Sequence, residues 1–152
     1  METRYLYRAK RLDNGEWVQG YLSYPFCTEK GNESYYFYAK DSLGFFCRCV
    51  VDASTICQCT GLTDKNGKLI WENDIVKFED YGEEQGTEYK EGYEYENNAR
   101  VEFADGRWSL TDFADDNSAV MDNMDNHAEF TELWSNSDVI GNKFDNPELL
   151  EV

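Results

Sequence analysis

The sequence contains no long hydrophobic stretch. No apolar run approaches the roughly 18 residues that a membrane-spanning helix requires. Residues 1–12 also lack the apolar core of a secretory signal peptide. We therefore expect a cytoplasmic protein with no membrane partner. In a reducing cytosol the five cysteines are expected to be thiols, and their odd number disfavours a complete disulfide framework.

Basic residues are scarce. The 152-residue chain carries 14 lysines and arginines against 31 acidic residues, a formal net charge of −17. Nucleic-acid binding needs a basic footprint, and anionic lipid headgroups repel an acidic protein. The charge therefore predicts no direct nucleic-acid partner. One local alternative stays open, in which a small basic and aromatic group contacts nucleic acid through phosphate contacts and stacking. This group comprises Arg4, Tyr5, Tyr7, Arg8 and Arg11.

The sequence is also poor in catalytic patterns. His127 is the only histidine, and a serine or cysteine nucleophile paired with a histidine base would need it. No G-x-S-x-G, phosphate-binding loop or G-x-G-x-x-G pattern is present. Carboxylates that could hold Mg²⁺ or act as acid and base include Asp112, Asp115, Asp116, Asp122 and Asp125. Chance proximity is expected among so many acids, so we predict a protein that is not an enzyme and has no cofactor or metal.

Four of the cysteines form two C-x-C pairs, Cys47 with Cys49 and Cys57 with Cys59. Alternate residues of a strand share a face, so a hairpin between residues 45–51 and 55–60 would bring four sulfurs together, as tetrahedral zinc requires. However, alternate side chains on a flat strand stand ~6.5–7 Å apart, which is too far for one ion. Free cysteine commonly packs in cores. The sequence favours a core role and leaves metal binding open.

Aromatic residues are abundant, at 16%, and the apolar pattern has a period of two. A disordered chain would lack these aromatics. The predicted strands are residues 5–9, 17–21, 35–38, 45–51, 55–60, 68–71, 75–78, 99–103, 107–113, 130–134 and 139–144. Residues 79–98 show no period and are predicted to be a loop or irregular insertion, whereas residues 119–129 are expected to form one or two helical turns. Strands this short and numerous are typical of an all-β sandwich or small barrels.

The acidic charge is concentrated in the second half of the chain. Residues 1–75 carry 9 basic and 10 acidic side chains, whereas residues 76–152 carry 5 and 21. Tyrosines and carboxylates interleave between residues 79 and 96, where tyrosine supplies amphipathic contact area and spaced carboxylates can imitate phosphates. The candidate interaction surface comprises Tyr81, Glu83, Glu84, Glu88, Tyr89, Glu91, Tyr93, Glu94, Tyr95 and Glu96. The alternative is a solvated loop whose tyrosines cover nearby core.

Two long motifs resemble the YopX family of phage and prophage proteins. Residues 60–76, TGLTDKNGKLIWENDIV, resemble the family pattern TGL-x-D-K-N-G-K-x-I-aromatic-E-G-D-I-V. Residues 138–149, DVIGNKFDNPEL, resemble its C-terminal V-I-G-N-x-aromatic-x-N-P-E-L. The family-motif residues include Gly61, Leu62, Asp64, Gly67, Asp74, Ile140, Gly141 and Asn142. Asn73 stands where the family has glycine, and asparagine also tolerates a positive φ.

The resemblance implies a phage or prophage origin and a place in the host cell cytosol. It also implies a β-rich fold with a small SH3-like barrel in its second part. We therefore predict an all-β chain with an N-terminal twisted β-subdomain, residues 1–60. An SH3-like barrel subdomain, residues 61–152, would follow, with an acidic insertion near 79–98 and a C-terminal strand.

The resemblance implies no activity, and no catalytic residues carry over. Aromatic excess without a catalytic constellation favours a non-enzymatic binding or interaction module, with an unknown protein partner or a second copy of the chain. The alternative is an acidic inhibitor that mimics nucleic acid and occupies the nucleic-acid groove of a host protein.

Overall fold

The computed structural model describes residues 5–23, 26–29, 32–40, 43–83, 92–122, 124 and 127–151. It shows an all-β chain whose described strands form two sheets, with two short helices. The chain divides into two compact units, Met1–Gly61 and Leu62–Val152. Among the residues described, no helix has the length and apolar character needed to cross a membrane.

The first unit is built from antiparallel strands. Its strands are β1 (Tyr7–Lys10), β2 (Trp17–Leu22), β3 (Phe26–Glu29), β4 (Asn32–Lys40), β5 (Phe46–Val51) and β6 (Cys57–Thr63), the last of which runs past Gly61. They pair in the order β3-β4-β2-β1-β6, and β5 also pairs with β4. The β1–β2 and β4–β5 pairs confirm two predicted hairpins.

The core of the first unit follows the period-two pattern. Phe37 of β4 lies opposite Cys49 of β5, and both pack with Ala9 and Val51 in one buried cluster. Because successive side chains of a strand alternate between faces, the neighbours of Phe37 on β4 belong to the other face of the sheet. The fully buried Phe37 side chain contributes about 1.5–3 kcal/mol to folding.

The second unit places a four-stranded antiparallel sheet against helices. Its elements are β7 (Leu69–Trp71), β8 (Asp74–Glu83), β9 (Gly92–Ala104), β10 (Arg107–Thr111), α1 (Ala119–Asp122), α2 (His127–Asn136) and β11 (Asp138–Asn142). The strand order of the sheet is β10-β9-β8-β11. The described strands do not close into a barrel in this order, so the SH3-like detail stays a prediction.

Side chains from β8, β9, β10 and α2 form the core of the second unit. Val76 and Phe78 of β8 pack with Val101 of β9, Leu110 of β10 and Trp134 of α2. Each of these side chains is at most a few per cent exposed. The β9–β10 pairing, through Ala104 and Arg107, confirms the predicted hairpin.

Two predictions for the second unit are wrong. Residues 79–83 and 92–98 belong to β8 and β9 instead of a loop. The alternation there was hidden because the buried positions carry polar or small residues, such as Asp80, Gly82 and Asn97. Residues 130–134, predicted as a strand, lie in α2, where the half-buried Leu133 and the buried Trp134 are flanked by exposed positions, as on an amphipathic helix.

Candidate interaction surface

The predicted surface is carried by an antiparallel ribbon formed by the outer ends of β8 and β9. Pairing continues from Ile75 opposite Arg100 to Glu83 opposite Gly92. We define the acidic ribbon as residues 79–83 and 92–96. Its exposed positions are Gly92 and six residues with side chains, Glu79, Tyr81, Glu83, Tyr93, Glu94 and Glu96. Glu84, Glu88, Tyr89 and Glu91 lie outside the residues that the structure describes.

The exposed face of the acidic ribbon concentrates negative charge. Glu79 lies directly opposite Glu96, and like charges in this relation destabilise a strand pair. Lys77, whose Nζ is 3.9 Å from a Glu96 carboxylate oxygen, partly offsets the repulsion. Tyr81 lies opposite Glu94 and is 46% exposed. The ribbon therefore presents carboxylates and a tyrosine side by side.

On the other face of the ribbon, tyrosines are held in place by hydrogen bonds. The Tyr93 and Tyr95 rings lie 5.5 Å apart between centroids. The Asn117 amide Nδ2 donates to Tyr93 Oη at 3.0 Å, and Tyr95 Oη donates to the Asn117 carbonyl at 2.6 Å. A Cβ added to Gly82 would come within 2.8 Å of the Tyr93 ring. Tyr93 thus packs over a glycine in a defined position and still exposes 40% of its surface.

Beneath the ribbon, Asp80 is a buried carboxylate that is fully supplied with donors. Its oxygens accept hydrogen bonds from Ser118 Oγ, from Asn97 Nδ2 at 2.9 Å and from the Tyr81 backbone N–H at 2.8 Å. The Val120 N–H adds a fourth donor at 3.2 Å. A buried charge needs such partners, because each unsatisfied polar group costs free energy.

Asn97 extends this network to the segment before α1. Its Nδ2 also donates to the Asp115 carbonyl at 2.8 Å, and its Oδ1 accepts from the Asp115 N–H at 3.0 Å. Asn97 and Ser118 were not identified from the sequence. The available signal for Asn97 was its position two residues before Ala99, which places both side chains on the same, buried face of β9.

The Tyr95 hydroxyl remains protonated in this environment. Burial raises the pKa of Tyr95, and the negative charges of Asp80 and Asp115 raise it further. The hydroxyl therefore stays a donor to Asn117 over the physiological range. Tyr95 is half-buried and supports the ribbon, in contrast to the exposed position expected for it.

Asp64, in the first family motif, organises a turn. Its Oδ1 accepts the N–H groups of Asn66 and Lys68, both at 2.9 Å, and its Oδ2 accepts the N–H of Val139 at 3.1 Å. Burial acts to raise the pKa of Asp64, but these backbone hydrogen bonds outweigh it and lower the pKa below its usual value. Gly67, with φ of 76°, completes the turn.

Asp74 and Asn73 form the second turn of the same motif. The Asp74 carboxylate, 1% exposed, accepts the Trp71 N–H at 2.8 Å. Asn73 adopts a φ of 68°, which confirms that it occupies a position suited to glycine. Its side-chain oxygen accepts a hydrogen bond from Arg100 at 2.8 Å.

The C-terminal motif lies beside the first motif. Asn142 pairs with Asp74 and Gly141 with Ile75 in the β8–β11 register. A Cβ on Gly141 would meet Asn146 Oδ1 at 2.5 Å, so glycine lets the Asn146 side chain pack closely against the strand. Of the remaining motif positions, Gly61 adopts a positive φ, Leu62 packs against the core and Ile140 is half-buried in β11. These motif positions therefore serve turns, strand pairing and core packing.

The hairpin on which the zinc alternative depended is absent from the described strands. β5 pairs with β4 and β6 pairs with β1. Cys49, Cys57 and Cys59 are buried, with Cys49 in the core cluster of the first unit. Burial raises the pKa of Cys49, which favours a neutral thiol. Within the described part of the chain, no three histidine, cysteine or acidic residues are grouped as metal ligands.

Two of the carboxylates considered for acid–base work, Asp112 and Asp115, contact other groups. Asp112 accepts a hydrogen bond from Arg100 Nε at 2.7 Å, and Asp115 caps the Asn117 N–H at 2.9 Å. His127 is the first residue of α2. Asp125 lies outside the residues described.

Comparison with known proteins supports the resemblance of the two motifs. No curated protein matches the chain. The family model described as YopX protein matches residues 6–151, which is nearly the whole chain. The chain therefore belongs to the YopX family.

Proposed function

We propose that this protein is a non-enzymatic binding module whose acidic ribbon contacts a protein partner. The observation that carries the proposal is a pair of exposed tyrosines on the two faces of one ribbon. Tyr81 lies beside exposed carboxylates, and Tyr93 is held in place by Asn117. The proposal includes a phage or prophage origin, action in the host cytosol and the SH3-like form of the second unit.

Rigidity supports a binding role for the ribbon. Tyrosine contributes a large contact area with few rotatable bonds, and interfaces are enriched in it. The hydrogen bonds of Asp80, Asn97 and Asn117 hold the backbone under the tyrosines before any partner arrives. Binding to an ordered surface loses less conformational entropy than binding to a mobile one.

The test compares capture of partners from host lysate by three forms of the full chain. The double variant Tyr81→Ala/Tyr93→Ala removes the exposed rings of the ribbon. Phe103→Ala is the matched control, because Phe103 is an exposed aromatic on the same strand, β9, but off the ribbon. A partner retained by the wild type and the control, and lost by the double variant, supports the proposal. Equal retention by all three forms contradicts it.

Self-association is a second form of the same proposal, in which the partner is another copy of the chain. Sedimentation velocity of the wild type and the double variant distinguishes the two forms. A wild-type oligomer that dissociates in Tyr81→Ala/Tyr93→Ala would identify the partner as a second copy.

A second candidate function is an acidic inhibitor that mimics nucleic acid. The direct opposition of Glu79 and Glu96 favours it, because a structural ribbon gains nothing from that repulsion. Along β9, Glu94 and Glu96 stand ~6.5–7 Å apart, which gives a regular row of negative charge. Such an inhibitor should lose affinity steeply between low and moderate salt. Replacing Glu83, Glu84, Glu88, Glu91, Glu94 and Glu96 by glutamine without loss of binding would exclude it.

A further inference from the structure

The first unit has an aromatic surface of its own. Tyr21 of β2 lies directly opposite Tyr38 of β4, and Tyr36 shares the face of Tyr38 two residues away. Tyr38 is 45% exposed, and Tyr5, two residues before β1, is 58% exposed. Five tyrosines and Ser23 are among the residues that line a cleft of about 710 Å³ on this surface. We call it the tyrosine cleft.

A cation lies at the edge of the tyrosine cleft. Arg48 of β5 is directly opposite Tyr38, and it is exposed. Its guanidinium carbon is 4.3 Å from the centroid of the Tyr36 ring, which is a cation–π contact. The cleft thus combines flat aromatic faces with a positive charge that solvent can reach.

A second cation–aromatic group stands on the same face of β1 and β2. The Arg8 guanidinium is 4.8 Å and the Lys10 ammonium 5.4 Å from the Trp17 ring centroid. Lys10 and Trp17 are cross-strand partners. The face therefore repeats the same pairing of aromatic ring and positive charge.

The net charge of the chain does not reside in this unit. Residues 1–61 contain seven basic and seven acidic side chains, whereas residues 62–152 contain seven basic and 24 acidic ones. The first unit is therefore balanced in charge, and the excess negative charge that would repel nucleic acid is carried by the second unit.

We propose that the tyrosine cleft binds single-stranded nucleic acid. Unpaired bases would stack on Tyr21 and Tyr38, and a backbone phosphate would meet Arg48. Stacking platforms of this kind tolerate any base sequence, because every base has a flat face. Charge complementarity selects this occupant over a proline-rich peptide or an oligosaccharide, neither of which presents an anion to Arg48.

The test measures fluorescence anisotropy of a labelled oligothymidylate of about 12 nucleotides titrated with the full chain. The expected dissociation constant at low salt is on the order of 10⁻⁵ M, and it rises with salt. A duplex of the same length should bind more weakly, because its bases are already stacked on one another. The measurement is repeated with oligouridylate, which is expected to bind as well.

Variants locate the site. Tyr38→Ala should weaken binding by about fivefold to a hundredfold, whereas Tyr38→Phe should retain it, because the ring does the stacking. Arg48→Ala should weaken binding and reduce the slope of log affinity against log salt by about 0.7. Phe103→Ala is the matched control, since Phe103 is also an exposed aromatic residue but lies in the second unit, outside the acidic ribbon. Circular dichroism confirms that each variant is folded.

Three outcomes would overturn the proposal: no anisotropy change with either oligonucleotide at low or moderate salt, equal affinity for the duplex, or an equal loss in Phe103→Ala. Binding of a proline-rich peptide or an oligosaccharide in place of the oligonucleotides would also overturn it. The result is independent of the acidic ribbon, because the two sites use different residues in different units.

Discussion

Asp64 and Asp80 are both buried carboxylates of the second unit, but they hold different kinds of donor. Asp64 accepts only backbone N–H groups, two from its own turn and one from Val139 of β11. Asp80 accepts from two side chains, Asn97 and Ser118, and from two backbone N–H groups. The hydrogen bonds of Asp64 connect its turn to β11, whereas those of Asp80 attach the segment that contains Ser118 to the acidic ribbon. Removing the Asp64 carboxylate should therefore lower the free energy of unfolding, whereas removing the Asp80 carboxylate should act mainly on the attached segment.

The largest expected effect is that of Asp64→Ala. Three backbone N–H groups lose their acceptor, so the free energy of unfolding should fall by about 3 kcal/mol. Urea denaturation measures it. Asp138→Ala is the control, because Asp138 is a neighbouring carboxylate that contacts Asn66 and Lys65 at the surface. The expected loss of unfolding free energy for Asp138→Ala is below about 1 kcal/mol. A loss equal to that of Asp64→Ala would contradict the special role of the buried carboxylate.

Asp80→Asn should act locally. The amide keeps an acceptor oxygen but brings two donors toward Asn97 and Ser118, so we expect a loss of about 1–3 kcal/mol. Hydrogen exchange should quicken in residues 115–120 and stay slow at core positions such as Val101. Asp116→Asn, an exposed acid in the same segment, is the control. Uniform quickening throughout the second unit would contradict a local role.

The stability contribution of Asp64 should depend on pH. Its pKa is lowered in the folded state, so its contribution is present above the unfolded value of about 4 and is lost as pH falls through the folded value. The difference in unfolding free energy between the wild type and Asp64→Asn should therefore shrink as pH falls below about 4. The other carboxylates titrate in both forms and cancel. A difference that stays constant down to pH 2, roughly two units below the unfolded value, would refute this reading.

The smallest effect should come from the exposed face of the ribbon. Glu79→Gln removes the repulsion toward Glu96 and should stabilise the chain by about 0.2–1 kcal/mol at low salt. The gain should diminish as salt screens the charges. Glu83→Gln is the control, because Glu83 faces Gly92 and opposes no acid. Thermal denaturation compares the two, and an equal gain in both variants would point to total charge as the cause.

Several features were predictable because they depend on residues close together in the chain. The first turn needs a hydrogen-bond acceptor, which Asp64 supplies, and the second needs a residue that tolerates a positive φ, which Asn73 supplies. The hairpins of β1–β2 and β9–β10 follow from a tight turn between two alternating runs. The ribbon was missed because its buried positions, Asp80 and Asn97, are polar, and hydropathy does not mark a satisfied polar residue as interior.

The sequence by itself determined the all-β class, the main hairpins, the motif turns and the family, because strand alternation and turn geometry are local properties. Only the tertiary structure decided what lies beneath the ribbon and which rings and charges share the tyrosine cleft. Asp80 meets Ser118, and Tyr38 meets Tyr21 and Arg48, across strands and segments distant in sequence. Such long-range contacts depend on strand order and register. These are set when the whole core is buried, so a short stretch of sequence does not predict them.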